Sequence, residues 1–167
     1  MEASPAPYMM VARMDVISSG SATAFWDHPT GFVASGETGS VGVLAGTPSC
    51  KGPADWFTGD VWIDSLVQPH DHSSLTVGAV HFHPGARTAW HSHDGGQTLY
   101  VTEGEGRVQS RGEPAATIRP GDVVHTPSGE WHWHGAAPEH FMTHLSLTEG
   151  PPTWGDHVTD DEYRSAT

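Results

Sequence analysis

From residue 56 onward, apolar and polar residues alternate in short runs, and glycine or proline interrupts each run. Alternation with a period of two over roughly four to eight residues marks a half-buried strand. The pattern predicts strands over residues 57–64, 75–83, 88–93 and 97–102. Shorter strands are expected over 107–109, 116–119, 123–126, 131–134 and 142–147. Gly104-Glu105-Gly106, Arg111-Gly112-Glu113-Pro114 and Pro120-Gly121-Asp122 supply turns between them. Short, evenly spaced strands with no long helical run between them indicate an all-β sandwich or barrel, not βαβ units. One helix is expected near the end, where Thr159-Asp160-Asp161-Glu162 has the form of a capping box.

Residues 1–50 read differently. Arg13 is their only base, and Gly, Ser, Ala and Thr dominate. A strand could form over 8–17, and a weaker one over 38–45. Composition favours a flexible extension, with packing on a neighbour as the alternative. The folded domain is therefore expected over residues 51–167.

Composition narrows the function. Seven Lys and Arg stand against twenty Asp and Glu, a formal net charge of −13. Phosphate contacts need clustered Lys and Arg, so a nucleic-acid partner is not expected. An anionic membrane surface is excluded on the same ground, and no apolar run reaches the ~18 residues of a membrane span. The first residues lack the basic and apolar regions of a secretory leader, and Cys50 is the single cysteine. These features predict a protein of the reducing cytoplasm.

Thirteen histidines are many for 167 residues. His91-Ser92-His93 closes a strand-like run, and strand residues two apart point to one face. Both imidazoles can therefore aim at one point. Gln97 follows across Gly95-Gly96, and His132 follows the Pro127-Ser128-Gly129 turn. Three His and one side-chain oxygen suit a first-row divalent ion that keeps positions open for a substrate. His70-Asp71-His72 has the same spacing, but no surrounding pattern supports a site there.

The spacing of these residues resembles the cupin family. Gly85, His91, His93, Gln97 and Gly104 match its first motif, and Gly121, Pro127, Gly129 and His132 match its second. The resemblance covers roughly residues 52–165. Two positions depart from the usual pattern: Gln97 stands where Glu is common, and Ala136 where Asn often ends the second motif. The segments around Lys51-Gly52-Pro53-Ala54-Asp55-Trp56, Pro84-Gly85-Ala86-Arg87-Thr88-Ala89-Trp90 and His132-Trp133-His134-Gly135 look like small single-domain bacterial cupins. That branch includes manganese-dependent hydroxynitrile lyases. The resemblance implies a jelly-roll barrel (a double-stranded β-helix) with a short C-terminal helix. It also implies His91, His93, Gln97 and His132 as metal ligands.

Gln97 brings no charge, so the ion would have four neutral protein ligands. Such a site favours the M(II) state and Lewis-acid chemistry over oxygen activation. Mn(II) is expected first and Fe(II) second. Zn(II) prefers four-coordination and leaves fewer open positions.

His134 lies two residues beyond His132 and can lean toward the same cavity. Met142, His144 and Ser146 share one face of the last predicted strand. His134 and His144 are the candidate bases, since a neutral imidazole suits that role. Gly78, Val80, Phe82 and Met142 are expected to line the substrate pocket. His125 has the parity of Val123 and could face inward, with a packed or rim position as the equal alternative. Trp90, Trp131 and Trp133 are out of phase with the ligands, which predicts packing on a second sheet or a partner subunit. His28, His70, His72, His140 and His157 read as solvent histidines.

The leading expectation is thus a metal-dependent lyase of hydroxynitrile type acting on a small molecule. An Fe(II) or Mn(II) dioxygenase for a small aromatic or enol substrate is the alternative, and a non-catalytic metal-bearing binding protein is a third. A homodimer or higher homo-oligomer is expected from family habit and the Trp cluster.

Overall fold

A computed structural model describes residues 42–165. The strand expected over 8–17 lies outside them, as does His28, and residues 42–45 form no strand. Thirteen strands and one short helix make up the described part. All strand pairs are antiparallel and fall into two sheets.

The first sheet holds β1 (Cys50–Lys51), β3 (Val61–Val67), β4 (Leu75–Phe82), β12 (Met142–Glu149), β7 (Gln97–Gly104) and β10 (Val123–Thr126), in the order β1-β3-β4-β12-β7-β10. The second runs β13-β6-β11-β5-β2, made of β13 (Pro152–Trp154), β6 (His91–His93), β11 (His132–Ala136), β5 (Arg87–Thr88) and β2 (Phe57–Thr58). On its flank, β8 (Gly106–Ser110) pairs with β11 and with β9 (Ala116–Ile118). Val61, Val80, Phe82, Val101 and Met142 of the first sheet meet Phe57, Ile118 and Ala136 of the second in one buried cluster. The two sheets therefore enclose the core, which is the jelly-roll arrangement expected from the motifs.

Two predicted strands are broken. The run over 57–64 divides into β2 and β3 at Gly59, whose φ is +83°. A Cβ there would lie 2.9 Å from the Ala86 Cβ, so glycine meets both the backbone and the space requirement. The run over 88–93 divides into β5 and β6 at Ala89-Trp90. There the Trp90 amide donates to Asp156 O, and the Gly155 amide donates to Trp90 O. A tertiary contact with the C-terminal segment thus replaces the local ladder. β1 and β13 are too short, and β13 too proline-rich, for alternation to reveal them.

The capping box forms as expected. Glu162 N–H donates to Thr159 Oγ1, and Thr159 N–H donates to Glu162 Oε2. The helix α1 spans Asp160–Ser165 and buries Tyr163. Tyr163 joins Trp90, Trp133 and Val158 in a second buried cluster, with Trp131 and Ala115 against it. The tryptophans expected to meet a second sheet or a partner are thus covered by the chain's own C-terminal segment. Buried Arg87 fastens this segment: its guanidinium donates to Val158 O and to Asp160 Oδ1, and lies 4.7 Å from the Tyr163 ring centre.

No helix among the described residues is long and apolar enough to cross a membrane.

Candidate metal centre

β6 and β11 lie side by side with His91 opposite His132. The period of two then brings His91, His93 and His132 to the inner face together. One ligand nitrogen from each lies within 4.8 Å of the other two, and all three residues are buried. Backbone carbonyls orient two of the rings. His91 Nδ1 donates to Ala89 O and His132 Nδ1 donates to Glu130 O, each at 3.0 Å. A carbonyl can only accept, so in both neutral rings Nε2 carries the lone pair. His93 has no hydrogen-bond partner at either nitrogen.

Gln97 opens β7 on the inner face and is 5% exposed. Its Oε1 lies 2.8 Å from His132 Nε2, and its Nε2 donates to Ser146 Oγ at 3.0 Å. Two lone-pair atoms therefore face each other at hydrogen-bond distance in a buried place. A proton or a cation between them resolves that repulsion, as does turning the amide over. A proton is disfavoured, because burial lowers the His132 pKa, only partly offset by the Glu130 carbonyl. Burial also holds His91 well below the usual histidine range, with His132 and His93 adding to the effect. His93 is pushed down to about 4 by burial and then by His132. Three neutral imidazoles and an amide oxygen, with orphaned nitrogens among them, fit a divalent cation.

Beside the triad stand the two candidate bases. β11 carries His134 and β12 carries His144, both inward and both buried. His144 Nε2 and His134 Nδ1 share a hydrogen bond of 3.2 Å. The outer nitrogens, His134 Nε2 and His144 Nδ1, have no partner. Burial pushes His144 down to about 4. Burial, then the neighbouring His144 and His91, holds His134 well below its ordinary value. The His134 ring centre lies 5.2 Å from that of His91, so the His134–His144 pair and the triad form one cluster.

The predicted pocket residues all lie on the inner face. Phe82 sets its ring 5.9 Å from His134 and 5.5 Å from His144. Val80 pairs with His144 and Gly78 with Ser146 across β4 and β12. Val80, Phe82 and Met142 are packed into the core cluster, whereas Gly78 is half-buried. Of the positions open to His125, the structure shows the outer one: Val123 is 64% exposed, His125 shares that outer face, and Val124 packs inward. His125 instead meets Thr98 at the surface. His81 and His83 point away from the site, as alternation requires, and His81 joins Asp64 and Thr143 on the outer face. His70, His72, His140 and His157 are exposed.

Sequence reading passed over Trp154. β13 pairs with β6 so that Trp154 lies opposite His91, and the two rings are 4.9 Å apart. Trp154 stacks flat on Trp56 at 5.2 Å, which builds an aromatic wall beside the triad. The only local cue was the shared parity of Pro152 and Trp154.

The comparisons agree with this geometry. The Cupin_2 family model, a cupin domain, matches residues 78–143. The chain belongs to the cupin family. It is 53% identical over 120 residues to a protein of Granulicella tundricola named (R)-mandelonitrile lyase, covering 70% of this chain and 92% of that one. A cupin-like protein from Thermotoga maritima superposes with a TM-score of 0.68 at 48% identity, again over 70% of this chain and 92% of the other. A cupin 2 conserved barrel domain protein from Rhodopseudomonas palustris shares the fold at a TM-score of 0.54 and 19% identity, over 68% of this chain and 77% of that one.

Proposed function

We propose that this cupin is a divalent-metal-dependent lyase of hydroxynitrile type, which cleaves a cyanohydrin reversibly to an aldehyde and hydrogen cyanide. The observation that carries the proposal is the buried His134–His144 pair beside the histidine triad. A chain 53% identical to an (R)-mandelonitrile lyase supports the choice of reaction.

An ion held by His91, His93, His132 and Gln97 would supply Lewis acidity, lowering the pKa of a hydroxyl bound at the open positions. Mn(II) suits a neutral donor set that leaves positions free, with Fe(II) next. The remaining chemistry falls to the imidazole pair. Burial keeps both rings neutral, so one open nitrogen, His144 Nδ1 or His134 Nε2, can accept the hydroxyl proton. The electron pair of that O–H bond becomes the second bond of the carbonyl. The C–C bond breaks, its electrons leave with cyanide, and the imidazolium returns the proton to form hydrogen cyanide. The hydrogen bond between the rings spreads the transient charge over both. Phe82, Val80 and Trp154 supply apolar surface that keeps water from competing for that proton.

The test is to strip the protein of metal, reload it with Mn(II) under nitrogen and add mandelonitrile. Benzaldehyde release, followed by absorbance, should depend on metal and not on oxygen. Release no faster than background at full metal loading would overturn the reading.

A further inference from the structure

The Gln97 amide can turn either end toward the triad, because its oxygen and nitrogen are nearly equal in size. Only the oxygen binds a cation. With the oxygen turned inward, the amide N–H faces the opposite way, in a side chain that is 5% exposed. It then needs a buried acceptor, since an unpaired buried donor is costly. The acceptor present is Ser146 Oγ, 3.0 Å away on the neighbouring strand β12. Thr126 and Thr148, which pair with Gln97 across β10 and β12, also carry buried hydroxyls, but the Gln97 amide N–H is bonded to Ser146 and to neither of them.

We infer that Ser146 is the positioning residue of the metal centre: its hydroxyl accepts the Gln97 amide N–H and thereby holds Gln97 Oε1 toward His91, His93 and His132. The inference rests on the reading of this cluster as a metal site with Gln97 as the fourth ligand. The metal-free state gives it a direction. With no cation present, the opposite orientation lets the Gln97 N–H donate to the His132 Nε2 lone pair, while the Ser146 hydroxyl donates to Oε1. A serine hydroxyl both donates and accepts, so it stays paired in either state. An apolar side chain at 146 would leave the ion-binding orientation with an unpaired donor. The turned-over orientation keeps that donor paired to His132. Loss of the hydroxyl therefore weakens metal binding selectively.

The experiment compares Ser146→Thr with Ser146→Val in the full chain. The two side chains have one shape and differ in hydroxyl against methyl. Metal-stripped protein is titrated with Mn(II), and free Mn(II) is read by electron paramagnetic resonance. Ser146→Val should weaken binding by roughly 10–100-fold, and Ser146→Thr should stay within about threefold of the unaltered protein. The same Val exchange in a Gln97→Ala background should change affinity by less than about threefold, because its route to the ion is already gone. Equal affinities of the Thr and Val variants would overturn the inference, as would an undiminished loss in the Gln97→Ala background. Failure of the unaltered protein to bind Mn(II) would instead overturn the metal reading beneath it.

Discussion

His144 Nε2 and His134 Nδ1 lie 3.2 Å apart with both rings sealed from solvent, so the two tautomers are locked to each other. If His134 donates, its Nε2 is the open base and His144 Nδ1 carries a proton. If His144 donates, the roles exchange. Either way the pair presents one acceptor and one donor, and they interconvert when one outer nitrogen gains a proton, the bridging proton crosses and the other outer nitrogen loses one. This arrangement suits a reaction in which one proton is taken and later returned.

Removing one ring should disable that exchange without emptying the ligand set. His144→Ala is expected to lower the cleavage rate by roughly 10²–10⁴-fold, the usual range for a lost general base. Mn(II) content, measured by atomic absorption, should not change. A variant retaining full rate at full metal content would remove His144 from the chemistry.

Acid should destabilise the metal-free protein through the same ring. The His144 pKa falls from an unfolded value near ~6.5 to about 4, chiefly by burial, and its titratable neighbours are His134 and His81. Between these values the unfolded chain holds more protons than the folded one, so stability rises with pH across that window. The contribution is present above pH ~6.5 and is lost as pH falls toward about 4, on the order of 3 kcal/mol from this group. Urea midpoints of metal-free protein should drop from pH 7 to pH 4.5. In His144→Gln the drop should be smaller.

Gln97→Glu tests the neutral donor set. A carboxylate adds one negative charge beside the ion and should tighten Mn(II) binding. It should also reduce Lewis acidity and slow cyanohydrin cleavage. Affinity by titration and rate at saturating metal are expected to move in opposite directions. Parallel movement would show that ligand charge is not what tunes the centre.

Gly135→Ala tests how closely β11 is held. A Cβ there would lie 2.4 Å from Ala86 O and 2.6 Å from Arg87 Cα, both backbone. No rotamer relieves that contact, so β11 and β5 must separate, at about 1–3 kcal/mol or more. The expected result is a lower melting temperature and, because His134 is the adjacent residue, a lower cleavage rate.

The clustering of His91, His93, Gln97 and His132 was legible because its signal is local. His91 and His93 are two apart on one strand, and glycine and proline turns bracket Gln97 and His132. The inward direction of His134 and His144 followed from the same parity. The direction of His125 stayed open because Val123 suggested an inner face, whereas Thr126 is the buried member of that strand at 5% exposure. An apolar residue on a four-residue edge strand says little about which way it points. Ser146 was placed on the right face, but its partner Gln97 lies 49 residues earlier, and no local pattern encodes that pairing. Trp154 depended on β13 closing against β6, a contact made only in three dimensions.

Every residue of β11 is buried, and its two faces serve different neighbours. His132 and His134 look into the site, while Trp133 sits among Tyr163, Trp90 and Val158, with its Nε1 donating to Gln109 Oε1. A strand gripped on both sides has little room to relax around an incoming ion. On the proposed metal reading, the fit of an ion would then depend partly on the aromatic packing behind β11. Enlarging or shrinking that packing would shift the spacing of the four side chains, and with it the radius of the cation that would fit among them.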